Sequence, residues 1–463
     1  MSAPQAKSSQ DVFDRIEREH EAYLDELKDY LRIPSISTDP AYDADVRRCA
    51  EFLLEKMRQA GLDARLIETE GKPLVYGERN DVPGAPTLLF YGHYDVQPAD
   101  PLDLWNTPPF EPTVRDGKLF ARGATDDKGQ SFAQLKAVAA LMAERGSLPI
   151  NVRFLVEGEE ESGGESIDAY VRSHADELSC DGVFVSDSSM YSAGQPAIVY
   201  GLKGLTYMEL RVTGPDHDLH SGVHGGAVRN PANALTQILD ALIDAGTGRI
   251  QIPGFYDAVL PLEEWERKEF AALPFSEDAY RRETGVPETH GEEGYTTLER
   301  RGARPTLDIN GIWGGYQGEG AKTVIPSIAG AKVSMRLVPD QDPDEIARLF
   351  EQHVQAIKPP GVTVEVLAHH GAQPVLITTE GAVFESAMAA AEDVWQRPVR
   401  VREGGSIPIV GTFAEALGVP IVLLGFGLDD DNLHAPNEKF DVANFYDGIR
   451  AVVRLIDRLG ANA

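Results

Sequence analysis

Residues 87–95, Thr87-Leu88-Leu89-Phe90-Tyr91-Gly92-His93-Tyr94-Asp95, carry the pattern that decides the fold. The uninterrupted apolar run from Leu88 to Tyr91 suits a strand buried on both faces of a parallel sheet, and ligands in such sheets gather at the carboxyl ends of strands. The run ends in His93 and Asp95, two residues apart, so on an extended segment their side chains point the same way. Gly92 is expected to let the backbone turn there without steric cost. A metal-bound histidine usually gives its second ring N–H to a carboxylate or carbonyl, and this pair can supply that arrangement. Taken alone, His-x-Asp reads better as the wet end of a strand.

Outward from this stretch, strand and helix patterns alternate. Helical periodicity covers Asp11–Leu31, stopped by Pro34, and about Asp45–Ala60, stopped by Gly61. After Thr87–Tyr91 come a helix over Gly129–Glu144 and strands over Ile150–Glu157 and Gly182–Ser186. The alternation resumes with a helix over Gly381–Trp395, strands at Val399–Arg402 and Pro420–Leu424, and a last helix from about Val442 to Leu459. This predicts an α/β fold, a mainly parallel sheet flanked by helices. Between the two blocks the pattern changes: a strand over Leu205–Thr213, a helix over Pro231–Ala245, a turn-rich acidic stretch over Pro253–Arg304, then Ala329–Leu337, Pro343–Ile357 and Val362–Leu367 as strand, helix and strand. We therefore expect a catalytic domain in two parts, residues 1–204 and 373–463, with an α+β domain inserted at residues 205–372.

Composition narrows the function. The chain has 463 residues, 74 acidic against 43 basic, and a formal charge of −31. Such a charge repels phosphate backbones and anionic membranes, so neither nucleic acid nor membrane is an expected partner. Two cysteines, Cys49 and Cys180, make neither a disulfide framework nor a thiolate cluster, which fits a cytoplasmic setting. The start, MSAPQAKSSQDVF, has no basic and apolar leader pattern, and no run of eighteen apolar residues occurs. There is no Gly-x-Ser-x-Gly elbow and no HExxH, and the glycines of Gly314–Gly320 open no helix.

Further ligands raise the standing of His93. Asp126 falls where a short strand gives way to a glycine turn and a helix, although Thr125, Asp126 or Asp127 would serve equally as a helix N-cap. The apolar strand Val152–Val156 runs directly into Glu157-Gly158-Glu159-Glu160-Glu161, where adjacent carboxylates repel one another unless a cation or proton offsets them. Neighbouring carboxylates there can divide the labour, one holding a metal and the next accepting a proton from water. Asp187 follows the strand Val183–Ser186, and His434 lies in the loop after the last strand. Two imidazoles with several carboxylates suit a pair of zinc ions better than magnesium, with manganese or cobalt also compatible. Asp126 is the candidate bridge.

The stretches Gly92-His93-Tyr94-Asp95-Val96-Gln97-Pro98, Arg122–Gly129, Glu157–Gly163 and Asn432-Leu433-His434-Ala435-Pro436-Asn437-Glu438 resemble those of the cocatalytic dizinc peptidase family. That family contains carnosine dipeptidases, glutamate carboxypeptidases, acetylornithine deacetylases and succinyl-diaminopimelate desuccinylases. Asp218–Gly222, Thr323–Pro326, Arg336–Pro339 and Arg402–Pro408 are similar to the dipeptidase branch in particular. The resemblance implies that His93, Asp126 and Asp187 bind one zinc and Asp126, Glu161 and His434 the other, with Asp95 orienting His93 and Glu160 as general base and acid. It also implies that the inserted domain is a lid and homodimer contact, that His220 reaches a neighbouring subunit's site to hold the oxyanion, that Arg336, with Thr323, binds substrate, and that Gly404, Gly405 and Ser406 shape the carboxylate pocket. Its expected activity is hydrolysis of a peptide bond in a dipeptide or short peptide with a free C-terminus. The alternatives are an N-acyl-amino-acid deacylase and an inactive binding protein; the latter would lack ligands or base, and all are present.

Overall fold

The computed structural model describes residues 7–405 and 407–462, so Ser406 lies outside the described residues. The chain forms two compact units. One comprises the chain up to Tyr200, Ile377–Arg400 and the chain from Pro408 onward; the other comprises Gly201–Leu376 and Val401–Ile407. The divisions thus fall after 200 and 376, against the expected 204 and 372, and the segment 401–407, expected in the catalytic part, clusters with the second unit.

The first unit is built on a sheet whose strands lie in the order Asp63–Ile67, Leu74–Arg79, Asn151–Glu157, Thr87–His93, Gly182–Val185, Ile421–Leu423 and Ala197–Leu202. Its centre is parallel, through the pairs of Thr87–His93 with Asn151–Glu157 and Gly182–Val185, and of Gly182–Val185 with Ile421–Leu423. The flanks are antiparallel, so the sheet is mixed. The central strand is buried from Leu88 to His93, as its continuous apolar run requires. Phe90 stacks on Phe154 at 4.8 Å and meets Phe184 edge-on at 5.7 Å. Burying each such ring contributes roughly 1.5–3 kcal/mol. The helix Lys128–Arg145 is buried nearly all round over its first three turns, because Ser9–Leu31 and Val442–Ala461 pack against it, and it ends at Gly146, whose φ of 76° is the left-handed cap that glycine adopts without strain.

The second unit carries an antiparallel sheet in the order Thr306–Gly314, Ile328–Leu337, Gly204–Thr213, Thr363–Ala372. The helices Pro231–Asp240 and Pro343–Ile357 cover one face, and Met208, Leu210, Leu235, Val333 and Phe350 form the core between. The first of these helices stops five residues short of the expected Ala245. Asp244 Oδ1 accepts hydrogen bonds from the N–H groups of Gly246 and Thr247 and from the Thr247 hydroxyl, a turn that competes with further helix. The stretch read as turn-rich holds helices at Glu264–Ala272, Glu277–Thr284 and Thr297–Ala303, the last opened by a Thr296/Glu299 capping box. Strand Thr306–Gly314 escaped the pattern because a bulge between Ile309 and Gly311 breaks its alternation and leaves Ile309 and Ile312 exposed.

Candidate metal centre

His93 closes the central strand, Glu157 closes its parallel neighbour in register with it, Asp187 lies two residues beyond the next strand, and His434 sits in the loop after Ile421–Leu423. The residues therefore converge at the carboxyl ends of the parallel strands, where backbone direction alone brings them together. Asp126 faces them from the turn before helix Lys128–Arg145, and the peptide between Asp126 and Asp127 is cis.

Asp126 lies between the two histidines. Its Oδ1 is 3.0 Å from His93 Nε2 and its Oδ2 is 2.9 Å from His434 Nε2. Asp187 Oδ2 stands 3.8 Å from His93 Nε2, and Glu161 Oε2 stands 3.4 Å from His434 Nε2. Two groups result, His93–Asp126–Asp187 and Asp126–Glu161–His434, each with its donor atoms within 4.8 Å of one another. His434 takes a positive φ of 57°, a conformation uncommon for a residue with a Cβ and one that collects at functional sites.

The electrostatics suit cations. Burial raises the Asp187 carboxyl to about 6 and the Glu161 carboxyl to about 7, with the charge of Asp126 adding to both. Burial also pushes Glu160 well above the usual carboxylate range, and the charges of Asp187, Glu161 and Asp126 push it further. Burial disfavours the charged forms of His93 and Asp126, yet their mutual hydrogen bond wins: His93 is held well above its ordinary value, and His434 and His93 together hold Asp126 below its own. Cations bound among these carboxylates would offset their mutual repulsion. The donor set, two imidazole nitrogens and carboxylate oxygens, fits divalent zinc-type ions.

The surrounding contacts hold these groups in place. His93 Nδ1 is 3.1 Å from the backbone carbonyl of Asp95 and 3.4 Å from its carboxylate, so the nearer partner is the main chain. The Asp95 carboxylate also accepts the Glu161 N–H at 3.1 Å through Oδ2, while its Oδ1 is the oxygen 3.4 Å from His93 Nδ1. Three residues given no part in the metal centre from sequence also act here. Asp127, fully buried, accepts the His93 N–H at 3.1 Å; Gln97 donates to Glu161 Oε2 at 2.7 Å; Glu438 accepts from the turn that carries Asp126. Gly92 has an ordinary extended backbone. It is glycine because a Cβ there would lie 2.5 Å from Ser131 Cβ, which is a demand for room and not for a turn.

The remaining candidates lie in the second unit. The structure brings His220 beside Thr323: His220 pairs with Val324, and the Thr323 carbonyl accepts the Ser221 N–H at 3.1 Å. Gly222 donates to His220 Nδ1 at 2.9 Å, which leaves the ring proton of the neutral imidazole on Nε2. Arg336 is half-buried on Ile328–Leu337, opposite Leu205 and Thr306. Gly404 and Gly405 are exposed, and the Gly405 carbonyl accepts the Lys203 N–H at 3.2 Å.

Residues 89–458 match Peptidase family M20/M25/M40. The chain belongs to this family. The peptidase is 35% identical to Cys-Gly metallodipeptidase DUG1 of Candida albicans, covering 96% of each chain, and 31% identical to Beta-Ala-His dipeptidase of Homo sapiens, covering 95% of this chain and 90% of the relative. Among solved structures, the M20 family metallo-carboxypeptidase Sso-CP2 from Sulfolobus solfataricus superposes with a TM-score of 0.85 at 34% identity, covering 95% of this chain and 99% of that one. The peptidase falls in the dipeptidase branch, and it is a metal-dependent hydrolase of dipeptides.

Proposed function

We propose that the peptidase uses two zinc ions to release the C-terminal residue of a dipeptide or short peptide with a free carboxylate. The observation that carries this reading is Asp126, whose two oxygens each face one histidine. One ion would be held by His93, Asp126 and Asp187, the other by Asp126, Glu161 and His434. Divalent ions in such a site polarise the scissile carbonyl and lower the pKa of a bound water.

Glu160, half-buried, carries a carboxylate that burial makes more basic, so it takes the proton of the attacking water and returns it to the leaving amine nitrogen. His220, with its proton on Nε2, donates to the oxyanion from a second copy of the chain. Arg336 pairs with the substrate carboxylate, and Thr323, Gly404, Gly405 and Ser406 complete its pocket. A homodimer through the second unit and a cytoplasmic location complete the reading.

Among the described residues, no helix is long and apolar enough to cross a membrane. The two dipeptidase relatives are named for different substrates, Cys-Gly and β-Ala-His, so the reading commits to the free carboxylate and not to a side chain. The test is metal-free protein reconstituted with zinc, manganese or cobalt and given dipeptides, their C-terminal amides and N-acetyl amino acids. Zinc-supported cleavage of free dipeptides is expected; preference for N-acetyl amino acids would replace the reading with a deacylase.

A further inference from the structure

The buried pair Glu438–Arg122 is not needed as a ligand, base or substrate contact, yet its contacts reach the segments that carry the metal centre. Glu438 is fully buried and Arg122 is 1% exposed. One carboxylate oxygen, Oε2, accepts from Arg122 Nη1 at 2.7 Å and from the Gly123 N–H at 2.9 Å. The other, Oε1, accepts from the Thr125 N–H at 3.0 Å and the Asp126 N–H at 3.2 Å. Both oxygens are therefore occupied by donors of the single turn that presents Asp126.

The backbone of Glu438 extends the same connection. Its carbonyl accepts the Ala121 N–H at 3.2 Å, and the strand that follows it, Lys439–Asp441, pairs antiparallel with Lys118–Phe120. Glu438 lies four residues after His434, on a loop whose left-handed residues, Asn432, His434 and Asn437, fix an irregular path. Arg122 carries the connection a step further. Its Nη2 donates to the Pro98 carbonyl at 3.1 Å, three residues beyond Asp95, and its guanidinium lies 5.6 Å from the Trp105 ring. From that same segment Gln97 reaches Glu161. One ion pair thus ties the loop of His434 to the turn of Asp126 and to the segment of His93 and Asp95, and through Gln97 it touches Glu161.

Stability alone is a poor reason for this pair. A buried ion pair sacrifices the hydration of both charges, and apolar residues of similar volume often serve as well or better. What an apolar pair does not do is accept four N–H donors in fixed directions and so set the Asp126 turn relative to the His434 loop. We propose that Glu438 and Arg122 are positioning residues that hold the two metal sites in register, so that occupation of one favours occupation of the other. This rests on the dinuclear reading above.

The test uses the full chain, metal-depleted and titrated with Mn2+, with binding followed by competition against a chromophoric chelator and with electron paramagnetic resonance of the loaded protein. The wild type is expected to take up two ions and give an exchange-coupled dimanganese signal. Glu438→Gln, which places an amide N–H2 among donors, is expected to bind the ion on the His434 side 10- to 100-fold more weakly and give an uncoupled single-ion signal. Leu455→Ala, a core truncation far along the last helix, controls for destabilisation and should keep the coupled signal despite a lower Tm. Should Glu438→Gln not fold, Glu438→Asp keeps the charge, is one methylene too short for all four donors, and is expected to lose the coupling in the same way. In the double variant Arg122→Met/Glu438→Gln the charges are balanced again; the positioning role predicts no recovery of affinity, and full recovery would show neutralisation alone and overturn it. Glu438 variants with unchanged affinities and a coupled signal would overturn it as well. A wild type that binds one ion would instead overturn the dinuclear reading, and the coupling with it.

Discussion

Substituting Gly92 by alanine tests how tightly the fold holds the first histidine. The added Cβ would lie 2.5 Å from Ser131 Cβ, 2.8 Å from Asp127 Oδ2 and 3.3 Å from Ser131 Oγ. Non-bonded carbons settle at about 3.5–4.0 Å, so the strand or the facing helix must yield by roughly 1 Å. Neither moves freely. Gly92 is paired with Val156 in the centre of the sheet, and helix Lys128–Arg145 is packed on most sides. Overpacking of this kind costs about 1–3 kcal/mol. The effect on the site should be comparable to the effect on the fold, because metal–ligand distances hold to about ±0.2 Å and the crowded Asp127 oxygen is the one that accepts the His93 N–H. A 10- to 100-fold loss of affinity for the ion on the His93 side is expected, of the size seen when an outer partner of a ligand is lost. Ser131→Gly added to Gly92→Ala removes two of the three contacts and should restore part of that affinity, at a helix cost of roughly 0.5 kcal/mol. Chelator competition and thermal melting measure both quantities. A Gly92→Ala protein with wild-type affinity and wild-type Tm would refute the close approach.

Two further outcomes follow from the same structure. Glu160→Gln should keep both ions while kcat falls by roughly 10²–10⁴, the range of general acid–base catalysis; a variant that loses metal instead would make Glu160 a ligand. In the second unit, burial and then the charge of Arg336 lower the Lys203 ammonium from 10.5 to about 7. The unfolded chain takes up this proton below about pH 10.5 and the folded chain only near 7. Native stability is therefore lost as pH falls through that window and regained as it rises. Lys203→Met should be the more stable protein at pH 7, with the advantage vanishing near pH 10. Its upper bound is about 1.4 kcal/mol for each pH unit between the unfolded and folded pKa values, reduced by loss of the bond to the Arg300 carbonyl. Denaturant unfolding at the two pH values checks this, and an equal difference at both would contradict it.

Much of the candidate centre was legible because its donor residues follow apolar runs. His93, Asp187 and the Glu157–Glu161 group each stand at or just past the end of a strand that the sequence marks clearly, and strand direction places them together. Helix Pro343–Ile357 was equally legible: Asp342 caps it, Pro343 opens it, and its apolar residues keep helical spacing. The edge strand Asp63–Ile67 and its neighbour Leu74–Arg79 do not stand out in the sequence because charged residues dilute their pattern. Glu438 stands in the His434 stretch, yet its position in sequence does not show its task, because its partner Arg122 lies 316 residues away in the chain. Nor does spacing reveal that Asp127 holds the His93 backbone or that the Asp95 carbonyl stands nearer to the ring than its carboxylate. Those are properties of packed loops, where orientation and not periodicity decides.

Whether Asp126 is shared by two ions is decided by metal content per chain in the wild type and in Asp126→Asn, Asp187→Asn and His434→Ala, set beside dipeptide hydrolysis. Because Asp126 faces both histidines with separate oxygens, two ions are expected in the wild type, near-complete loss of both in Asp126→Asn, one ion retained in each of the other variants, and little turnover in any of the three. A wild type with a single ion, or an Asp126→Asn protein that keeps two and still hydrolyses dipeptides, would contradict that sharing.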